Sequence, residues 1–255
     1  MKETERRNPK QRGRSKGEET TELRTGETNQ TTENEERTMS KIDTILFDFD
    51  GTIMDTNDVI LQSWQHTFRT LTGKEGNEDE ILVTFGEPLE ISIRNFFPEI
   101  PVEESIAVYR RFQYDNFLSL IELYPGMKEL VAEVKQRGYK VGLVTSRLKF
   151  TTMQGIEKFG LAEYFDDVVT AEDTTKYKPD PEPILVMLDK LGSKPENAVM
   201  LGDTLFDIRC ARNAGVQSIL VSWSLALGGK SAADLGADAP DHIINRPEEL
   251  FDVII

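Results

Sequence analysis

The chain has one cysteine and two histidines among its 255 residues. A single cysteine excludes an internal disulfide and fits a reducing, cytoplasmic setting. His66 and His242 are too few for a histidine-rich zinc site. Any metal is therefore expected on oxygen ligands, which points to Mg2+. No apolar run reaches the roughly 20 residues that span a bilayer, and no hydrophobic signal segment follows Met1. Positive charge is also short: 30 Lys and Arg face 45 Asp and Glu, a formal net charge of −15. That balance argues against nucleic acid or an anionic membrane as partner.

Residues 1–40 lack what a core needs. They hold no aromatic residue, and their apolar side chains are Met1, Leu23 and Met39 alone. Such a segment buries too little surface to offset chain entropy and is expected to be a disordered tail. Its basic and acidic residues cancel, so the negative charge belongs to the body. Met39-Ser40-Lys41 directly precedes the first strand, which makes Met39 a second candidate initiator.

The body reads as an α/β fold. Lys41–Asp48 is a buried strand. From about Asp55 to Tyr124 the pattern is helical, with no convincing strand. Val59, Ile60, Trp64, Phe68 and Leu71 recur at helical spacing until Gly73, and shorter helices flank Gly86-Glu87-Pro88. Glu103–Leu120 is a long amphipathic helix. Beyond Tyr124-Pro125-Gly126, helices and strands alternate with short connections, the pattern of a mostly parallel, Rossmann-like sheet covered on both faces. The expected division is a tail at 1–40, a core at 41–54 and 125–255, and a helical cap at 55–124. The cap would lie over the carboxyl edge of the sheet, where open α/β sheets bind ligands.

Four strand ends or turns finish in polar residues. Ile45-Leu46-Phe47 runs into Asp48-Phe49-Asp50-Gly51-Thr52, and Leu143-Val144 into Thr145-Ser146-Arg147. Lys178 precedes Pro179 at a turn into a helix, and Met200-Leu201 ends in Gly202-Asp203, with Asp207 four residues on. Carboxylates at the end of a buried strand need something to offset their repulsion and desolvation. A phosphate site with an oxygen-bound cation does so.

In this order the motifs DxDGT, hydrophobic-Thr-Ser, Lys-Pro and GDxxxD resemble the haloacid dehalogenase-like superfamily, and the likeness spans residues 41–255. The insert is similar to the cap of its phosphoglycolate phosphatase-like branch. Asp55-Thr56-Asn57, His66-Thr67 and Gly86-Glu87-Pro88-Leu89 look most like the bacterial pyrophosphatases of that branch. The resemblance implies a Mg2+-dependent phosphohydrolase acting on a small phosphorylated metabolite or pyrophosphate. It implies Asp48 as nucleophile and Asp50 as general acid and base. Metal would sit on Asp48, the Asp50 main-chain carbonyl and Asp203, with Asp207 orienting a bound water from behind. Thr145, Ser146 and Lys178 would hold the phosphoryl group, and Gly51 would let the turn pass close to it.

Two other functions share these core motifs. One is a phosphomutase of the β-phosphoglucomutase type; the other is a non-catalytic phosphate-binding regulatory module. A dehalogenase is disfavoured, because that chemistry leaves the extra carboxylates without a purpose. Ser146 and Arg147 also read as caps of the following helix, His66 as structural, and Cys210 as a small packing residue. Glu87 and Arg94 flank the Gly86-Pro88 break and face either substrate or solvent. Specificity is expected in the cap, around Gly86–Arg94, and none of these motifs sets an oligomeric state.

Overall fold

A computed structural model describes residues 42–226 and 232–254. The expected tail at 1–40 lies outside them. Strand β1 (Thr44–Phe47) leads to a two-residue strand β2 (Met54–Asp55) and then to helices α1 (Asn57–Thr72), α2 (Glu78–Leu82), α3 (Leu89–Phe96) and α4 (Val102–Asn116). The chain returns through β3 (Glu122–Leu123) to α5 (Met127–Gln136), β4 (Lys140–Val144), α6 (Lys149–Lys158) and β5 (Asp167–Val169). It ends with α7 (Glu182–Leu191), β6 (Ala198–Gly202), α8 (Leu205–Ala214), β7 (Gln217–Val221), β8 (His242–Ile244) and α9 (Leu250–Val253).

Six of the strands form one parallel sheet in the order β5-β4-β1-β6-β7-β8. Side chains alternate across the pleat. Ile45 and Phe47 enter a core with Leu143, Leu201, Met127, Ile156 and Leu250. Leu46 enters the opposite core with Val144, Met200, Ile184, Met187 and Cys210. The apolar run of β1 therefore serves two layers of helices, α5, α6 and α9 on one face and α7 and α8 on the other. The sheet grows outward from β1 through β4 to β5, then from β6 through β7 to β8. The connectivity thus reverses between β1 and β6, the position at which an open sheet leaves a crevice at its carboxyl edge.

One difference from the sequence reading lies at the ends of the insert. Met54 pairs with Leu123 and Asp55 with Glu122, so β2 and β3 form a small antiparallel ribbon. Two residues are too few for a period-2 pattern to show in sequence, and the pairing partners are far apart along the chain. Between these strands, α1–α4 pack round an apolar cluster of their own, with Trp64, Ile81, Ile93, Phe97 and Tyr109 buried. Trp64 meets Phe96 and Tyr109 edge-on, at centroid distances of 5.2 and 5.0 Å. On α4 the buried residues are Ser105, Tyr109 and Gln113, a polar stripe at every fourth position. Of the residues that the sequence places on or near the apolar face of this helix, Tyr109 and Phe117 are buried, while Ile106, Val108 and Phe112 are partly buried.

Because the insert has its own core, damage there is expected to stay local. Trp64→Ala should cost about 3–5 kcal/mol in the insert. In native-state hydrogen exchange, amides of α1–α4 should exchange faster while those of β1, β4 and β6 keep their protection. Equal loss of protection in the sheet would show that insert and sheet unfold as one unit.

Candidate active site

β1, β4 and β6 are neighbours in register, with Phe47 opposite both Leu143 and Leu201. Their carboxyl ends therefore deliver Asp48, Thr145 and Asp203 to one place. These residues line a cavity of about 160 Å³ together with Asp50, Gly51, Ser146, Lys178 and Asp207, so every site residue expected from sequence is brought together. The far wall comes from the insert, including Gly86, Glu87, Tyr109, Arg110 and Gln113. At Gly86 the two sides nearly touch, since a Cβ there would lie 2.7 Å from Thr204 Cγ2.

On the cavity floor, Lys178 Nζ donates to Asp48 Oδ1 at 2.7 Å and to Asp207 Oδ1 at 2.6 Å. All three side chains are buried. Asp207 is also the third residue of α8. Its Oδ2 accepts from the backbone NH and hydroxyl of the N-cap Thr204, at 3.1 and 2.6 Å, in a reciprocal capping box. Both Asp207 oxygens are thus committed, which suits a positioning role better than direct metal ligation. Asp203 is held from a segment the motifs did not flag: Ser224, beyond β7, donates its hydroxyl to Asp203 Oδ2 at 2.5 Å. The neighbouring Trp223 indole NH reaches the Thr52 carbonyl at 3.0 Å.

Carboxylate oxygens of Asp48, Asp203 and Asp207 lie within 4.8 Å of one another. Burial raises Asp48; Lys178 pulls it down, Asp207 and Asp50 push it up, and the result is about 7. Burial, Asp207 and Asp48 likewise hold Asp203 well above the usual carboxylate range. Burial alone would depress Lys178, but Asp207 and Asp48 more than reverse it, so the ammonium stays charged. Asp48 therefore needs more positive charge than Lys178 provides to be fully ionised at neutral pH. The residues fit a cation: Asp203 Oδ1 is buried with no hydrogen-bond partner among the described residues. Gly51, at φ 72°, leaves room that a Cβ would fill, 1.8 Å from Asp203 Oδ2. The all-oxygen donor set is one that hard divalent cations take.

Asp50 faces another way. Arg147 Nε donates to its two oxygens at 3.0 and 2.9 Å, and Nη2 to Oδ1 at 2.6 Å. The guanidinium lies over the Phe117 ring, 4.6 Å from its centroid, which fixes it between sheet and insert. Arg147 is thus the orienting partner of Asp50 rather than only a helix cap. Its backbone NH donates to Thr145 Oγ1 at 3.1 Å, leaving the Thr145 hydroxyl proton for another acceptor. Ser146 is exposed at the cavity mouth.

The remaining candidates separate cleanly. Glu87 lines the cavity and accepts from the Ser92 hydroxyl. Arg94 is exposed and pairs with Glu90. His66 stacks on Phe112 with centroids 4.8 Å apart and lies outside the cavity lining. Cys210 is buried, with its thiol directed at the Asp180 carbonyl, and burial pushes it up to about 12, so it packs rather than reacts.

The family model of the haloacid dehalogenase-like hydrolases matches residues 45–221. The chain belongs to that family. Among curated members, pyrophosphatase PpaX of Bacillus cereus (strain AH820) is 39% identical over 214 residues, covering 84% of this chain and 97% of the relative. PpaX of Bacillus thuringiensis (strain Al Hakam) is 38% identical over the same length. Among solved structures, a haloacid dehalogenase-like family hydrolase from Streptococcus pneumoniae superposes with a TM-score of 0.72 at 25% identity, covering 84% of this chain and 99% of that one. In this haloacid dehalogenase-like hydrolase, no described helix is long and apolar enough to cross a membrane.

The crowded carboxylates make stability depend on pH in a defined direction. Asp48 binds a proton more tightly in the native state, about 7 against 3.8 in the free side chain, and Asp203 is raised as well. The native state therefore holds more protons than the unfolded chain between roughly pH 4 and 7, and metal-free stability falls as pH rises through that window. In chelator, the melting temperature is expected to be higher near pH 5.5 than near 7.5. Asp203→Asn should flatten this dependence. A wild-type melting temperature that instead rises across the window would contradict the assignment.

Proposed function

We propose that this hydrolase is a magnesium-dependent phosphohydrolase working through an aspartyl-phosphate on Asp48, with pyrophosphate or a small phosphorylated metabolite as substrate. The observation that carries the reading is the Asp48 carboxylate itself. It sits at the carboxyl end of the central strand and faces a small cavity. Lys178 takes one of its oxygens, and Oδ2 has no hydrogen-bond partner among the described residues. The names of the curated relatives favour pyrophosphate.

In the first half-reaction Asp48 attacks phosphorus in line, forming the acyl phosphate as the bond to the leaving oxygen breaks. Asp50 supplies the proton to that oxygen. In the second, Asp50 takes the proton of a water that attacks the same phosphorus, and Asp48 is regenerated as inorganic phosphate departs. For the first transfer Asp50 must leave Arg147 and take up the proton it then gives to the leaving oxygen; in the second, as the carboxylate, it accepts the proton of the attacking water. Lys178 and the Thr145 hydroxyl face charge on the transferring group, with Ser146 at the entrance. Mg2+, held by the Asp48 carboxylate, the Asp50 main-chain carbonyl and Asp203, would neutralise the carboxylates and polarise a phosphoryl oxygen. A cytoplasmic setting suits the single buried thiol.

Residues 55–124 act in this reading as a cap, with hinges at Thr52–Thr56 and Leu123–Gly126. The β2–β3 ribbon couples the hinges, so they move together. Closing over the substrate keeps bulk water from the acyl phosphate.

Asp48→Asn is expected to abolish turnover of p-nitrophenyl phosphate and pyrophosphate while leaving the melting temperature in chelator at or above that of wild type, because it removes one crowded carboxylate. Substantial residual turnover would end the nucleophile assignment. Asp50→Asn should slow the reaction by about 100-fold or more, the scale of a general acid–base contribution. Hinge motion is checked separately: hydrogen exchange at 52–56 and 123–126 should fall when magnesium and a phosphate analogue are added, and no change would exclude gating there.

A further inference from the structure

Three basic side chains line the cavity, and they are not equivalent. Lys178 is engaged by Asp48 and Asp207, and Arg147 by Asp50. Arg110 of α4 has no carboxylate within ion-pairing distance among the described residues, although it is partly buried. Other arginines of the insert behave differently. Arg69 pairs with Glu75, Arg94 with Glu90, and the adjacent Arg111 with Asp115, all on the exposed surface. Glu87 shares the insert wall with Arg110, but its carboxylate accepts from Ser92 and makes no ion pair with the guanidinium.

Arg110 belongs to the polar side of α4. Gln113, one turn on, is buried and borders the same cavity without a hydrogen-bond partner among the described residues. Tyr109, next to Arg110 in sequence, is buried and lines the same cavity. Burial raises its hydroxyl above the usual phenol range, with smaller and opposing contributions from Arg147, Asp50 and Arg110. A partly desolvated guanidinium with five donors and no anion is unfavourable until one arrives.

We propose that Arg110, with Gln113 beside it, is the subsite for a second anionic group of the substrate, on the leaving-group side of the bond that is broken. This rests on the phosphohydrolase reading and narrows it: the preferred substrate carries negative charge at both ends. The cavity of about 160 Å³ has room for several water-sized groups, enough for pyrophosphate or a short phosphocarboxylate. Phosphate and carboxylate share the chemistry that an arginine fork recognises.

The test compares wild type, Arg110→Gln and Arg110→Lys with magnesium on three substrates: pyrophosphate, 2-phosphoglycolate and p-nitrophenyl phosphate. The kcat/KM of the better two-anion substrate, divided by that of p-nitrophenyl phosphate, is expected to fall about 10- to 100-fold in Arg110→Gln, mainly through KM. Arg110→Lys should recover part of it. Loss confined to pyrophosphate identifies the second group as phosphate, and loss confined to 2-phosphoglycolate identifies it as carboxylate; either supports the subsite. An unchanged ratio for both overturns it. A second readout does not depend on turnover. In Asp48→Asn protein, magnesium pyrophosphate and magnesium phosphoglycolate are titrated by calorimetry, and adding Arg110→Gln should weaken the tighter of the two by a similar factor. Equal affinity with and without Arg110 overturns the subsite. Absence of wild-type turnover on all three substrates, with Arg110-dependent binding intact, would instead remove the phosphohydrolase reading.

Discussion

Crowding of negative charge at the end of one buried strand governs this structure. Asp48, Asp203 and Asp207 bring carboxylate oxygens within 4.8 Å of one another, all buried, and Lys178 is the single described cation in contact with the group. Left alone, such a cluster is paid for by the rest of the fold. The architecture shows how it is tolerated. The capping box of α8 engages Asp207, Ser224 supports Asp203, and Lys178 bridges Asp48 to Asp207. What remains is a deficit of positive charge with an orphaned oxygen on Asp203, the electrostatic signature of a place for a divalent ion.

The sheet converts this local arrangement into a site. Parallel pairing in register sends three strand ends to one edge, and the reversal of connectivity between β1 and β6 opens a crevice there. Polar residues at that edge escape burial among apolar neighbours, while Ile45, Leu46 and Phe47 behind them supply both cores. The insert then closes the crevice with a wall of different chemistry. It contributes Tyr109, Arg110, Gln113 and Glu87, none of which belongs to the sheet motifs. The division is physical: the sheet edge supplies the carboxylate cluster and Lys178, and the insert, Glu87 apart, supplies uncharged and guanidinium groups opposite them.

Arg147 joins the two halves. It grips Asp50 through three hydrogen bonds and rests on Phe117, at the end of the insert, so the orientation of the Asp50 carboxylate depends on how insert and sheet meet. A helix-capping reading of Arg147 was reasonable from its position two residues after Thr145. Nothing near it in sequence announces an aspartate 97 residues away.

The sequence alone determined the elements whose cause is local. Alternating apolar strands and glycine-stopped helices specify the parallel sheet, and carboxylates after buried strands mark Asp48, Asp50, Asp203 and, with its helical spacing, Asp207. Composition excluded a disulfide framework. The tertiary structure decided the relations between distant segments: the Asp50–Arg147 clasp, the Ser224 support of Asp203, the β2–β3 ribbon and the place of Arg110 in the cavity. The buried stripe Ser105, Tyr109 and Gln113 was not singled out from sequence, because helical geometry sets only which residues share a face. Which face meets the crevice depends on the packing of α4 against α1 and on the closure of the insert over the sheet, and no local pattern encodes either.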